Sequence, residues 1–251
     1  MFQNFLKTAL RNFLRQRSYS IINISGLAIG LASSVFIFLW VLDEINFDQF
    51  HLDKDRIFQI KENQTYSEGK VFTFNATPGP LAEALKMEIP EVEQSCRTTW
   101  NDRVLFKHEE QSIYEEGLYA DSTLFKIFTF QIAEGNRSNP LPDNNSIAIS
   151  QKMAAKYFKN ESAIGKSFRL DNISDAKVTA VFRDIPENSS IRFEFIIPFE
   201  LYGKKNPWLK DWGNNGIQTY VKLHDGRSRG AVDKKIKEFI KKRSELSLIH
   251  I

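Results

Sequence analysis

The sequence predicts an α+β domain of mixed short strands and helices, with room for two lobes, preceded by one transmembrane α-helix and an amphipathic N-terminal helix. Three observations predict it. Residues 21–42 (IINISGLAIGLASSVFIFLWVL) carry no charge, and as a helix rising ~1.5 Å per residue they reach about 33 Å, enough for a hydrocarbon core of roughly 30 Å. Beyond them, runs that alternate apolar and polar residues are interleaved with runs of helical period, the pattern of strands and helices mixed in one domain. The composition, 42% hydrophobic and 26% charged over 251 residues, is that of a globular chain with one apolar segment added.

Residues 1–20 read as a basic amphipathic helix. Phe2, Phe5, Leu6, Ala9, Leu10, Phe13 and Leu14 recur at helical spacing, Lys7, Arg11 and Arg15 take the other face, and Arg17 follows. Such a helix is expected along the inner headgroup layer of membrane lipid, where each basic residue gains ~1 kcal/mol from anionic lipid. A soluble partner subunit is the other surface it would fit. Residues 21–42 form the transmembrane helix. In it Gly26 and Gly30 make a GxxxG pair that Ser34 continues, the small-residue stripe along which helices approach in lipid. No acid precedes residue 43, whereas Asp43, Glu44 and Asp48 follow at once. Basic flanks stay in the cytoplasm, so the N-terminus is expected inside and residues 43–251 outside. A cleaved signal competes with this reading, but a signal's apolar core is about 7–15 residues and ends at a small-x-small site. This run is longer and ends at Leu39-Trp40-Val41-Leu42.

In the outer part, Phe47 to Phe58 reads as an aromatic-bearing element packing onto the next strand. Residues 56–62 and 70–76 alternate around Glu68-Gly69 as a hairpin. Thr77-Pro78-Gly79-Pro80 opens a helix with Leu81, Ala82, Leu85 and Ile89 on its apolar face, and Pro90 ends it. Residues 92–121 read as three strands with turns at Asn101-Asp102 and His108–Glu110. Residues 122–128 read as a short helix running into a strand near Thr129–Ile132, and Glu134–Asn145 as the least ordered stretch. Ile147–Ile149 is a strand, after which Ser150 caps a helix through Phe158. Strands follow at Gly165–Leu170, Lys177–Arg183, Arg192–Ile197 and Gln218–Leu223. A final lysine-rich helix shows Val232, Ile236, Phe239 and Ile240 on one face.

Four of the 34 basic residues precede residue 43, so the outer part holds 30 basic against 31 acidic groups, a net charge of −1. That offers nucleic acid no electrostatic footprint. Cys96 is the only cysteine, which excludes an internal disulfide and reads as a half-buried strand residue. His51, Asp53 and Asp55 lack a second ligand cluster, so no metal is expected. Ile164-Gly165-Lys166-Ser167 resembles the tail of a phosphate loop, yet position 160 is Asn where the pattern needs glycine, and a strand-like Phe-Arg-Leu follows. The histidines at 51, 108, 224 and 250 form no metal or nucleophile spacing, and Asp184 and Glu187 read as solvated turn acids. No catalytic constellation and no cofactor is expected; the outer part reads as a binding or force-transmitting body.

Over residues 2–243 a series of fragments falls in a recognisable order. It starts with Ile22-Asn23-Ile24-Ser25-Gly26-Leu27-Ala28-Ile29-Gly30-Leu31, then Phe47-Asp48-Gln49-Phe50-His51 and Asp55-Arg56-Ile57-Phe58. Thr77-Pro78-Gly79-Pro80-Leu81, Pro90-Glu91-Val92 and Ile164-Gly165-Lys166 follow, and the series closes with the run from Val178 through Asp184-Ile185-Pro186-Glu187-Asn188-Ser189. In these the chain resembles the N-terminal part of MacB-like/FtsX-like ABC transporter permeases. The resemblance implies a first transmembrane helix and a MacB-like extracytoplasmic domain over 43–243. It also implies a dimer with a second permease copy or homologue, a separate cytoplasmic ATPase subunit that alone binds ATP, and transmission of ATP-driven motion for export or release of peptides, lipids or lipoproteins. Such permeases carry four or more spanning helices, and no second uncharged run follows Leu42. The tail 244–251 is therefore expected to stand before a further transmembrane helix. A single-pass sensor ectodomain is the alternative.

Overall fold

The computed structural model describes residues 4, 7–8, 11, 15–66, 69–159, 161–227 and 229–248. The chain divides into two compact units, Met1–Phe47 and Asp48–Ile251. The first is dominated by helix α1, Arg17–Ile45, whose 29 residues have no buried position. It is apolar all the way round, and such a helix has no water-facing side to offer. At ~1.5 Å per residue it is about 43 Å long, past both ends of the uncharged stretch. Asn46 closes it, its backbone N–H donating to the carbonyls of Leu42 and Asp43 at 3.1 Å.

Among the described residues the second unit has thirteen strands, eleven in a main sheet and two in a separate hairpin. In chain order the elements are β1 (Ile57–Ile60), β2 (Glu62–Thr65), β3 (Val71–Phe74), β4 (Thr77–Pro78), α2 (Leu81–Glu88), β5 (Val92–Thr98), β6 (Asp102–His108), β7 (Gln111–Ala120), α3 (Leu124–Ile127) and β8 (Ile132–Gly135). Then come β9 (Ser146–Ser150), α4 (Gln151–Phe158), β10 (Ser167–Leu170), β11 (Ser174–Phe182), β12 (Phe195–Pro198), α5 (Phe199–Lys205), β13 (Asn215–Leu223) and α6 (Arg229–Leu248). The main sheet runs β1-β13-β5-β7-β12-β9-β11-β10-β6, with β4 on β13 and β8 on β11. Because β6 also pairs with β7, six of these strands close into a ring. β7 makes that closure by pairing along its first part with β6 and along Leu118–Ala120 with β12. Gly117 stands where it changes partner: a Cβ there would lie 2.4 Å from the Phe195 carbonyl oxygen.

Side chains alternate across strands buried on both faces, so each strand feeds two clusters. Ile147, Ile149, Phe195, Ile197, Phe106 and Phe168 point to one cluster. Ala148, Ile196, Leu118 and Ala120 point to another, which also takes Cys96 of β5 and Tyr220 of β13. A third cluster, with Leu81, Leu85, Val221, Leu223 and Val232, seats α2 and α6 against β1 and β13. The β1-β13-β5 part meets the ring through one residue pair, Thr98–Ala120, but the two parts share the second cluster, so Asp48–Ile251 is one body without separable lobes. Arg97 and Asp121 reinforce that junction with side-chain hydrogen bonds of 3.0 and 2.8 Å.

Several local expectations change. The run 57–60 is not a hairpin arm: β1 pairs with β13 in the main sheet, and the hairpin is β2 with β3. The strand expected near Thr129–Ile132 begins at Ile132. Within Glu134–Asn145, Glu134 and Gly135 end strand β8, and the exposed loop that follows is pinned at its buried Pro140 and Leu141, where Thr179 Oγ1 donates to the Pro140 carbonyl at 2.7 Å. Cys96 is fully buried rather than half-buried. Ser150 caps α4 as read: its Oγ accepts from Met153 N at 2.9 Å, while Asp184, read as a solvated acid, accepts from Lys152 N at 2.8 Å on the same turn. Phe239 and Ile240 lie in α6, but their side chains are outside those described. So are the apolar positions at 2, 5, 6, 9, 10, 13 and 14.

Candidate functional site

Gly26, Gly30 and Ser34 are exposed on one side of α1, and a Cβ at either glycine would meet nothing within 4 Å. Ser34 Oγ donates to the Gly30 carbonyl at 2.8 Å, so its hydroxyl is satisfied inside the helix. Lys7, Arg11 and Arg15 are each helical and exposed. Arg17, also exposed, opens α1.

A set of polar contacts lies in the residues that follow, Asp48–Arg56, at the start of the second unit. Asp48 has φ +57°, in the left-handed region that aspartate tolerates better than most residues. Its backbone N–H donates to the Asn188 carbonyl at 2.9 Å, and its carboxylate accepts the backbone N–H of Ser190 at 2.9 Å and the Ser190 hydroxyl. Ser189, in turn, donates its hydroxyl to the Ile191 carbonyl at 3.0 Å and fixes the turn. Two fragments 142 positions apart thus form one clasp.

His51 is the second fastening. It is 4% exposed and packs edge-on to Phe128 and Phe130, in the second cluster, on which Phe50 and Ile57 of β1 also pack. Thr129 N donates to His51 Nδ1 at 3.0 Å, and Thr129 Oγ1 accepts from Leu52 N at 2.9 Å. An accepting Nδ1 assigns the neutral ring's proton to Nε2. Burial pushes the imidazole below its ordinary range, with Asp48 pulling weakly the other way.

The third fastening is ionic. Lys222 of β13 is buried, and its Nζ lies 3.2 Å from Asp53 Oδ2 and 3.1 Å from Glu93 Oε1, while donating to the Lys126 carbonyl at 2.9 Å. Arg56 pairs with the same two carboxylates and donates to the Leu223 carbonyl at 3.2 Å. The Arg56 hydrogen bond holds Asp53 below the usual carboxylate range, with Lys222 adding to it. Two cations on two carboxylates leave the cluster neutral. Asp53, one of the three residues weighed as metal ligands from the sequence, is engaged by Lys222 and Arg56. The Gly165 turn, at φ +84°, leads into strand β10 rather than into a helix. The arrangement fixes one short segment to three separate parts of the second unit.

The chain matches the MacB-like periplasmic core domain family over residues 20–239. It belongs to that family. The MacB-like fold recurs in a domain assigned to a permease of Porphyromonas gingivalis, with a TM-score of 0.64 and 26% identity over 77% of this chain and 86% of that one. The periplasmic region of MacB from Actinobacillus actinomycetemcomitans is similar in fold, with a TM-score of 0.56 and 14% identity over 74% of this chain and 83% of that one. No curated protein sequence matches the chain. The protein is a MacB-like periplasmic domain of ABC transporter permeases with, among the described residues, one apolar helix, near the N-terminus, long enough to cross a membrane. Sequence reasoning had the fragments of the clasp but not their meeting, and Lys222 was not singled out at all. A lysine inside the apolar run of β13, Tyr-Val-Lys-Leu, was the available signal for a buried pair.

Proposed function

We propose that this chain is part of an ABC transporter permease subunit in the inner membrane of a bacterium, with its N-terminus cytoplasmic and Asp48–Ile251 outside. It passes ATP-driven motion from a separate cytoplasmic ATPase to the outer domain, for export or release of peptides, lipids or lipoproteins. The observation that carries this reading is the triple fastening of Asp48–Arg56. A displacement delivered along the chain at Phe47 enters a segment held at Asp48, His51 and Asp53/Arg56, so the outer body moves as a whole instead of absorbing the displacement in a slack linker. The basic face at Lys7, Arg11, Arg15 and Arg17 rides on lipid near the ATPase, and the Gly26, Gly30, Ser34 stripe packs on a spanning helix of a second permease copy. The protein needs no cofactor of its own, ATP being held by the partner subunit. Affinity purification from native membranes in mild detergent tests this: an ABC ATPase subunit is expected with the chain, and its reproducible absence would leave a membrane-anchored sensor domain as the better account.

A further inference from the structure

Strand β1 ends the main sheet, and among the described residues its second edge pairs with nothing. An antiparallel edge strand turns the N–H and C=O groups of alternate residues away from its neighbour. Two of the four β1 residues therefore offer backbone donors and acceptors outward, and among the described residues no turn or loop hydrogen bond takes them. That edge opens onto a cleft of about 960 Å³ between β1, the start of β2 and the first turns of α6. Phe58, Ile60 and Ile236 give the cleft an apolar floor. Beside it the β2–β3 hairpin forms a separate two-stranded sheet with Val71 58%, Phe72 51% and Phe74 39% exposed. Two strands alone are marginal in water, so this hairpin is short of a covering partner. The rim is cationic. Lys61, Lys234 and Lys237 are exposed and make no ion pair among the described residues, whereas Asp233 is paired with Arg229 at 3.7 Å.

We propose that the free edge of β1 is a strand-addition site for an extended segment of a partner protein that alternates apolar and acidic side chains. An extended backbone supplies the hydrogen bonds the edge lacks, which a helix, having spent its own, does not. Apolar side chains cover Phe58, Ile60 and the flank of Ile236 on the α6 face, and the acidic ones, on the opposite face, lie beside Lys61 and within the field of Lys234 and Lys237. A second copy of this chain brings the same lysines to the same place and is disfavoured by like charge.

The test uses the full chain in detergent micelles and a labelled peptide of about nine residues, alternating valine and glutamate, followed by fluorescence anisotropy. Saturable binding is expected, weakened at least about ten-fold by Lys234→Glu with Lys237→Glu and by about 0.5 M salt. Circular dichroism of the double variant checks that it is folded. The same peptide with lysine for glutamate is expected not to bind. Two further peptides carry N-methyl groups on the odd or on the even residues; strand addition uses one edge, so one of them loses binding and the other keeps it. Absence of binding up to about 1 mM, equal binding of the lysine peptide, or equal binding of both methylated peptides would overturn the proposal. So would self-association of the chain that competes with the peptide, which would give the edge to a second copy.

Discussion

Replacing Asp48 separates the clasp from everything else in the fold, because its side chain does two things of known size. It accepts two hydrogen bonds from Ser190, and hydrogen bonds to a charged group contribute about 1.5–3 kcal/mol when buried. Asp48 is half-exposed, so about 1–2 kcal/mol for the pair is the better figure. It also sits at φ +57°, where alanine costs roughly 1 kcal/mol more than aspartate and glycine costs nothing. Asp48→Ala is therefore expected to lose about 2–3 kcal/mol, Asp48→Gly about 1–2, and Asp48→Asn, which keeps one acceptor and tolerates the backbone, about 1. At about 2–4 °C per kcal/mol for a body of this size, Asp48→Ala lowers Tm by about 4–12 °C. The assay is thermal unfolding of the full chain in detergent, run with Ser190→Ala and the double variant. A coupling energy of about 1 kcal/mol between the two sites is expected. Equal Tm values for wild type, Asp48→Asn and Asp48→Ala, or additive losses in the double variant, would refute the clasp.

Lys222→Met leaves Asp53 and Glu93 facing each other with Arg56 alone between them. Since those carboxylate side chains are 35% and 27% exposed, the loss is expected near 2 kcal/mol rather than the ~3–5 of a fully buried broken pair, measured by urea unfolding. Asp53 titrates below its ordinary range in the folded protein. Its contribution is therefore present above the unfolded carboxylate pKa near 4 and lost as pH falls through the folded value. Lys222→Met makes that acid limb shallower, the Arg56 hydrogen bond keeping the larger share. His51 is held neutral, its folded pKa below the unfolded value, so stability is complete above about pH 6.5 and falls as pH drops below it. His51→Asn, whose side-chain oxygen replaces the Nδ1 acceptor, keeps most of the stability and removes that slope. Gly117→Ala puts a Cβ against the Phe195 carbonyl and is expected to cost about 3 kcal/mol or more, read as lost yield of folded protein. Gly26→Leu with Gly30→Leu is expected to weaken helix–helix crosslinking in membranes by crowding the close approach.

What was readable in the sequence was local. Ser150 and Pro90 mark a helix start and a helix stop through backbone groups within four residues, and the three strands over 92–120 announce themselves through alternation and polar turns. Pairing was not readable, because a strand's side-chain pattern says which face is buried but not which neighbour it has. Residues 57–65 alternate almost without a break, yet the chain leaves the main sheet after Ile60, whose side chain is in the third cluster, and starts a separate hairpin at Glu62. Helix α5 was missed: it begins directly after Pro198 and is too short, at 7 residues, to develop a period. The functional reading rests on the same divide. The fragments around Asp48 and Asn188-Ser189 stood out singly, Ser190 did not, and the reason for their residue types is a contact made across the whole domain.

The account stands on α1 crossing a bilayer with its basic end inside. Cys96, the only cysteine, is fully buried and its thiol is pushed up by burial, so it stays silent toward a membrane-impermeant maleimide and an introduced cysteine reports alone. Ile173→Cys, at a position 67% exposed in the outer body, is predicted to label in intact spheroplasts, and Lys7→Cys only after permeabilisation. Labelling of Lys7→Cys in intact spheroplasts, with Ile173→Cys protected until lysis, would contradict the account.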